Sequence, residues 1–172
     1  SFEYGIKNDV LEVIVEHKYN TVFKQKTVYK IDRLGKLGVS VNLEADKGLS
    51  EIPRIGMSTI LNGDLNQVEW YGRGPEENYW DRKTASFIGK YSSNVEEMNT
   101  KYVRPQENGN RSDVRWVTIT NEDGEGVKFI SSKAFNFSVF PFLYSELSHY
   151  NKDTNKHGSE IKSSGITFLN ID

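Results

Sequence analysis

Adjacent carboxylates are the residue types in this chain best suited to acid–base or nucleophilic chemistry. They occur as Glu76-Glu77 and Glu96-Glu97. A retaining glycosidase needs two carboxyl groups about 5–5.5 Å apart, one as acid/base and one as nucleophile. On an extended segment, adjacent side chains point to opposite faces, so extended pairs cannot meet this requirement. We therefore predict no catalytic residue in this chain.

The three histidines, His17, His149 and His157, lack the close helical spacing of a metal-binding pair. No metal site is therefore predicted. His157 and Glu160 place an imidazole and a carboxylate close together, which could serve proton transfer. The interpretation we favour is a loop histidine satisfied by local hydrogen bonds.

The segment with the most varied polar chemistry is VEWYGRGPEENYWDR, residues 68–82. Gly72 and Gly74 permit positive φ and Pro75 fixes the next φ, which predicts a sharp corner. Arginines recur near acids here and in the segment around residues 104–115, and a guanidinium can grip a carboxylate bidentately. Such pairs would pin long loops to a sheet edge. The alternative is that some arginines, or Asn108, line a polar sugar-binding cleft.

The contribution of these ion pairs to stability depends on how far they are buried. If they are buried, Arg82→Ala is predicted to destabilise the protein by about 3 kcal/mol. The arginines of this set are Arg73, Arg82, Arg104, Arg111 and Arg115, and the acids are Glu76, Glu77, Asp81, Glu107 and Asp113.

Aromatic side chains could stack on the apolar C–H face of a sugar. Trp80 and Tyr79 lie in the predicted loop and are the better candidates, although packing of Trp80 beneath the corner is the favoured interpretation. Trp70 and Trp116 lie in strand-like runs and are predicted to be core. The cluster of Phe135, Phe137 and residues 140–142 is predicted to form core and close the sheet.

Hydrophobic periodicity predicts an almost entirely β protein. Alternation near period two and short spacing between turn signals indicate a sandwich of antiparallel sheets. Residues 121–124 (NEDG) predict a hairpin turn. A brief helix is predicted over 145–149. Strands are predicted over 10–17, 22–31, 39–44, 54–61, 67–71, 84–91, 114–120, 126–131, 136–140 and 166–171.

Composition limits the partners. The chain has 172 residues, a formal net charge of −2 and no cysteine. The charge gives no reason to expect nucleic acid or an anionic membrane surface as a partner, and disulfides and thiolate zinc sites are excluded. No apolar run approaches the roughly 18 residues that span a bilayer. No leader is visible after Ser1, and the compartment stays open between cytoplasm and periplasm.

Three ordered motifs carry a resemblance to a known family. Residues 70–82 match W-x-G-x-G-P-x-E-N-Y-x-D-R, residues 53–56 match P-R-I-G, and residues 102–111 match Y-V-x-P-x-E-N-G-x-R. Lys156-His157 and residues 169–172 (LNID) resemble two later elements. The chain resembles the C-terminal small-chain domain of bacterial β-galactosidases of glycoside hydrolase family 2.

The resemblance implies a single β-supersandwich of the galactose-mutarotase-like kind over residues 1–172. The whole enzyme would hydrolyse terminal non-reducing β-D-galactose residues, and this domain would brace and shape the substrate cleft. The implied partners are the other domains of the polypeptide, especially the catalytic barrel, with a galactoside substrate and a homo-oligomer. No cofactor is expected in this chain; a divalent metal would belong to the barrel. Both ends are expected to be cut, before a glycine-rich D-x-S-W element at the C-terminal side.

Two other functions remain open: a free carbohydrate-binding module, and a mutarotase-like sugar epimerase using His157. Candidate substrate-binding residues are Trp80, Asn108 and Arg111. Motif residues with an expected structural role are Arg54, Gly72, Gly74, Pro75, Glu77, Asp81, Arg82, Glu107 and Arg115.

Overall fold

The computed structural model describes residues 1–19, 23–45, 52, 54–153 and 157–172, excepting the side chains of 149–153. Val22, Pro53 and Lys156, which belong to the predicted strand and motifs above, lie outside the described residues. The chain divides into two compact units, Ser1–Pro53 and Arg54–Asp172. A single domain over 1–172 stays a prediction.

The first unit is a four-stranded antiparallel sheet in the order β1-β2-β3-β4. Its strands are β1 (Phe2–Lys7), β2 (Val10–Tyr19), β3 (Phe23–Ile31) and β4 (Leu37–Ala45). One face carries ion pairs between neighbouring strands, with Lys30 Nζ 3.0 Å from Glu12 Oε2. The first strand was not predicted, whereas the other three follow the predicted ranges.

The second unit is a six-stranded antiparallel sheet in the order β5-β10-β9-β8-β6-β7. The all-β prediction is therefore confirmed, and the likeness to galactose mutarotase stays a prediction. The strands are β5 (Met57–Asn62), β6 (Gln67–Gly74), β7 (Phe87–Asn94), β8 (Arg111–Thr120), β9 (Gly126–Phe140) and β10 (Ile166–Ile171).

Two predicted strands, 126–131 and 136–140, are one long strand, β9, whose pairing with β8 shifts register between Val114 and Trp116. The hairpin turn at 121–124 is confirmed, since it joins β8 to β9 and Gly124 has a φ of 81°. The predicted helix at 145–149 lies inside α2 (Tyr144–Asp153), and the short α1 (Val95–Met98) was not predicted. Within the described residues, none of the helices is long and apolar enough to cross a membrane.

The core of the second unit lies on one face of its sheet. Trp70 and Phe137 are buried there with their rings 5.9 Å apart. A second cluster buries Phe140 and Phe142 beneath Leu147 of α2. The core prediction for the phenylalanines and Trp70 is confirmed. Trp116 is only partly buried, because its position in β8 points its ring to the opposite face from Val117.

The two glycines of the corner serve close packing rather than positive φ. Both lie inside β6 and neither has a positive φ, so the left-handed conformation that glycine permits is not used here. A Cβ at Gly72 would lie 2.7 Å from Cγ2 and 2.8 Å from Cα of Val114. A Cβ at Gly74 would lie 2.7 Å from the Tyr91 ring and 3.0 Å from the Trp70 ring. The absence of a side chain lets β6 approach β8 and its aromatic neighbours.

Candidate functional site

Two loops meet at the end of the six-stranded sheet. The corner loop (residues 75–82) follows β6 through a cis Gly74–Pro75 peptide, and the Asn108 loop (residues 99–110) leads into β8. The Asn78 backbone N–H donates to the Asn110 carbonyl at 2.8 Å. Asn110 Nδ2 donates back to the Asn78 carbonyl at 2.7 Å. These reciprocal bonds fix the two loops as one body.

Asn78 reinforces this junction from a fully buried position. Its Oδ1 accepts hydrogen bonds from Ser112 N at 2.9 Å and Ser112 Oγ at 2.6 Å. Its Nδ2 donates to the Glu76 carbonyl at 2.9 Å. The side chain therefore joins the corner loop to the start of β8 with every polar atom paired.

The Glu77 carboxylate joins the corner loop to the Asn108 loop. It accepts hydrogen bonds from Gly109 N at 2.7 Å, from Thr100 Oγ1 at 3.1 Å and from the Tyr102 hydroxyl. Only 15% of its side chain is exposed. The bond to Glu77 raises the pKa of Tyr102, which keeps that hydroxyl a donor. The carboxylate therefore holds the two loops together.

The condition for a large effect of Arg82→Ala, burial of its ion pair, is not met. Its Nη2 lies 3.3 Å from Glu77 Oε1, but 54% of the arginine side chain is exposed. Its guanidinium lies 4.4 Å from the ring centroid of Tyr79. The neighbouring Asp81 is exposed as well. Solvent therefore screens the Arg82–Glu77 pair.

We expect Arg82→Ala to lower the free energy of unfolding by less than about 1 kcal/mol, because exposed ion pairs contribute little. Urea denaturation of the purified chain measures this directly. A loss near 3 kcal/mol, the cost of breaking a buried pair, would contradict the observed exposure.

Asn108 and Arg111, two candidate substrate-binding residues, are both buried. Asn108 Oδ1 accepts from Thr100 N at 2.8 Å and its Nδ2 donates to the Gln106 carbonyl at 3.0 Å. Arg111 Nη1 donates to the Gly109 carbonyl at 2.9 Å. Burial lowers the pKa of Arg111 to about 10, so it remains a cation at neutral pH. Both side chains bond to the Asn108 loop, Asn108 from within it and Arg111 from the first position of β8; sugar binding by either stays a prediction.

Trp80 is the candidate that the structure presents to solvent. Its side chain is 80% exposed, so the expected packing beneath the corner is wrong. Backbone bonds between Tyr79 and Arg82 close a tight turn and leave Trp80 and Asp81 at its tip. Lys83 Nζ lies 3.9 Å from the centroid of the Trp80 ring. The ring is thus accessible and has a cation on one face.

The cation beneath Trp80 is itself held by a carboxylate on β8. Asp113 accepts from Lys83 Nζ at 3.1 Å and from Arg73 Nε at 2.5 Å. The Arg73 hydrogen bond, with that from Lys83, holds the pKa of Asp113 below its usual range. Asp113 has a φ of 52°, a conformation tolerated by Asp at this irregularity in β8. Arg115 donates to the Asp113 carbonyl.

A second ion-pair network anchors the Asn108 loop at its other side. Arg54 Nη1 lies 2.6 Å from Glu107 Oε1, and its Nη2 lies 2.5 Å from Asp172 Oδ2. The Tyr144 hydroxyl donates to Glu107 Oε2 at 3.2 Å. Arg54 and Glu107 thus lie in one network. This network joins the Asn108 loop to Asp172, which follows β10, and to Tyr144, the first residue of α2.

Tyr79 offers a test of how tightly the corner is packed. Its hydroxyl is buried, has no hydrogen-bond partner among the described residues, and burial raises its pKa. Because an unpaired buried hydroxyl is unfavourable, we expect Tyr79→Phe to leave stability unchanged or raise it by about 1 kcal/mol in thermal or urea unfolding.

The matched control is Tyr102→Phe, which removes a hydroxyl bonded to Glu77 and is expected to cost about 1 kcal/mol. A loss from Tyr79→Phe as large as that of the control would mean that the Tyr79 hydroxyl has a bonding partner in solution.

The carboxylates and the histidine considered above for acid–base chemistry lie in different surroundings. Glu76 is exposed beside the fully engaged Glu77. Glu96 and Glu97 lie on α1 and not on an extended segment, and adjacent positions of a helix do not face each other either. Glu160 accepts from the His157 backbone N–H at 2.7 Å. Among the described residues, no three His, Asp or Glu side chains are grouped to hold a metal ion.

Sequence reasoning missed several residues of this site. It named Glu77 but not Thr100 or Tyr102, whose hydroxyls bind it. It also missed Lys83, which lies between Asp113 and Trp80. The signal that could have found Tyr102 is its place as the first residue of the motif at 102–111.

Sequence comparisons show which family this chain resembles. The family model described as "Beta galactosidase small chain" matches residues 3–172. A β-galactosidase of Priestia megaterium is 37% identical over 76% of this chain and 13% of its own length. Those of Halalkalibacterium halodurans (35% identity; 85% of this chain, 14% of that protein) and Vibrio cholerae (31%; 96% and 15%) are also similar. The chain therefore spans about a seventh of the length of these relatives.

Proposed function

Since the chain belongs to the family of the β-galactosidase small chain, we propose that it is an accessory domain of a β-galactosidase. The complete enzyme would hydrolyse terminal non-reducing β-D-galactose residues. The catalytic carboxylates would lie in other domains of the same polypeptide, above all a catalytic barrel. This domain would brace that barrel and shape one side of the substrate cleft.

The observation that carries the proposal is the rigid corner that exposes one aromatic ring. Asn78 and Glu77 fix the corner loop against the Asn108 loop, and the turn at its tip presents Trp80 to the outside. A ring on a fixed support can position a sugar or a neighbouring domain, because little conformational entropy is lost on contact. Asn108 and Arg111 would support this surface from below.

The role of Trp80 can be tested in the enzyme formed by this chain and the remaining domains. We expect Trp80→Ala to lower kcat/KM for a β-galactoside about fivefold, mostly through KM, because one aromatic contact is worth about 1 kcal/mol. Phe87→Ala, at another exposed aromatic (74% exposed), is the matched control. If the two changes had equal effects, or if Trp80→Ala had none, Trp80 would not line the proposed cleft.

The accessory role itself is tested with the chain alone. It should show no hydrolysis of a chromogenic β-galactoside, no measurable lactose or galactose binding by calorimetry, and no acceleration of galactose mutarotation. Turnover by the isolated chain would overturn the proposal. Mutarotation lost on changing His157 would instead support an epimerase.

The second candidate function is a free carbohydrate-binding module, favoured by the accessibility of the Trp80 ring. Lactose binding by the chain alone, lost in Trp80→Ala, would support it. For either function we propose that the chain itself needs no cofactor and that a divalent metal would be bound by the barrel. We also propose that the protein forms a homo-oligomer.

A further inference from the structure

An aromatic row crosses one face of the six-stranded sheet. In the strand register, Lys90 of β7 is opposite Tyr71 of β6, Tyr71 is opposite Trp116 of β8, and Trp116 is opposite Ile130 of β9. Directly opposed residues in an antiparallel sheet project from the same face. Tyr71 is 39% and Ile130 71% exposed, so this row is a surface feature.

Cations lie over the rings of this row. Lys128 Nζ lies 4.6 Å and Lys90 Nζ 5.6 Å from the centroid of Trp116. The guanidinium carbon of Arg115 lies 5.7 Å from the centroid of Tyr71. Cation–π contacts at exposed sites are weak, about 0.5–1 kcal/mol, so a ligand can displace or share these cations at small cost.

The charge of this surface is opposite in sign to that of the chain. Lys90 is paired with Glu69, its Nζ 2.9 Å from Glu69 Oε1. Lys128 contacts a ring, and Arg115 contacts a ring and the Asp113 carbonyl. These are three cations beside one carboxylate on a chain of net charge −2. An anionic group is therefore attracted here, although the chain as a whole repels it.

The shape of the surface favours a saccharide among anionic ligands. It is the face of a sheet, formed by side chains opposed across four neighbouring strands, whereas helical peptides bind in apolar grooves and extended peptides add to a sheet edge. A pyranose ring can lie flat on an aromatic row, and its acidic substituent can then reach a neighbouring cation.

We propose that this surface, the Trp116 face (Tyr71, Lys90, Arg115, Trp116, Lys128 and Ile130), binds an acidic saccharide. The C–H face of a sugar ring stacks on Trp116 and Tyr71. A carboxylate or sulfate on the sugar pairs with Lys128 and Arg115. The inference goes beyond the proposed accessory role and does not depend on it, because it uses neither the corner loop nor a catalytic barrel.

The test is calorimetry of the chain with an oligogalacturonate trisaccharide and with a neutral galactotriose of equal length. We expect the acidic sugar to bind and the neutral sugar to bind about fivefold or more weakly, the factor that corresponds to one ion pair. Lys128→Gln should weaken acidic-sugar binding about fivefold, and added salt should weaken it further. Lys36→Gln, the same charge change in a turn of the first unit, should have no effect.

Trp116→Ala should reduce the affinity for the acidic sugar about tenfold, and Trp116→Tyr should restore part of it. Lys128→Gln keeps the inference testable if Trp116→Ala fails to fold. Equal binding of both sugars, or insensitivity to Lys128→Gln, would overturn the acidic class. Absence of binding would overturn the site, and preferential binding of a polyglutamate peptide would replace the saccharide with a protein partner.

Discussion

Replacing Glu77 with alanine is expected to lower the free energy of unfolding by about 3 kcal/mol, because charge-assisted hydrogen bonds contribute more than neutral ones. The change removes the acceptor for Gly109 N, Thr100 Oγ1 and the Tyr102 hydroxyl at once. It also removes one of the two connections between the corner loop and the Asn108 loop, and the Asn78–Asn110 bonds remain as the other. Urea denaturation followed by circular dichroism and by tryptophan fluorescence measures the loss.

Glu76→Ala is the control for Glu77, since it removes the same charge from the adjacent, exposed position. Its effect should stay within about 0.5 kcal/mol, as for other surface changes. Similar losses from the two changes would show that charge, rather than the three hydrogen bonds, determines the result.

Asn78→Ala is expected to cost about 3 kcal/mol as well, for a different reason. The Asn78 side chain is fully buried, and its removal leaves the Ser112 N–H, the Ser112 hydroxyl and the Glu76 carbonyl without their partner. Each buried polar group left unpaired costs about 1–3 kcal/mol, and relaxation of the loop recovers part of the sum.

Asn121→Ala is the matched control for Asn78. Asn121 Oδ1 also accepts a backbone N–H, from Glu125 at 2.9 Å, but in an exposed hairpin turn where water replaces the bond. A loss of only about 0.5 kcal/mol is expected there. If Asn78→Ala were equally mild, the two loops would be held together by other contacts, and the corner would not be the rigid support proposed for Trp80.

The sheets and the core were predictable because their signal is local. Alternation of apolar and polar residues specifies which side of a strand faces inward, so most strands and the burial of Trp70 and Phe137 followed from the sequence. The same alternation failed at Trp116. In a strand with one buried face, alternate residues face outward. The residue type of Trp116 did not indicate that it is one of these outward residues.

The corner motif shows the limit of such reasoning. The residue types of 70–82 indicated a loop held by carboxylates, amides and arginines, and the sequence placed the chain in its family. The partners were decided by tertiary structure, because Glu77 and Asn78 bind backbone and side-chain groups 23–34 positions away. Sequence spacing carries no information about which distant donor will arrive at a given acceptor.

Exposure was the other property that only the tertiary structure decided. The sequence by itself determined an antiparallel β protein, a turn-forming corner and its membership among β-galactosidase small chains. It did not determine that Arg82 would be half exposed and Trp80 almost fully exposed, because a tight turn at 79–82 directs both outward. Whether a side chain pairs in a dry interior or meets solvent depends on how distant segments pack around it, and that packing sets both its energy and its availability to a ligand.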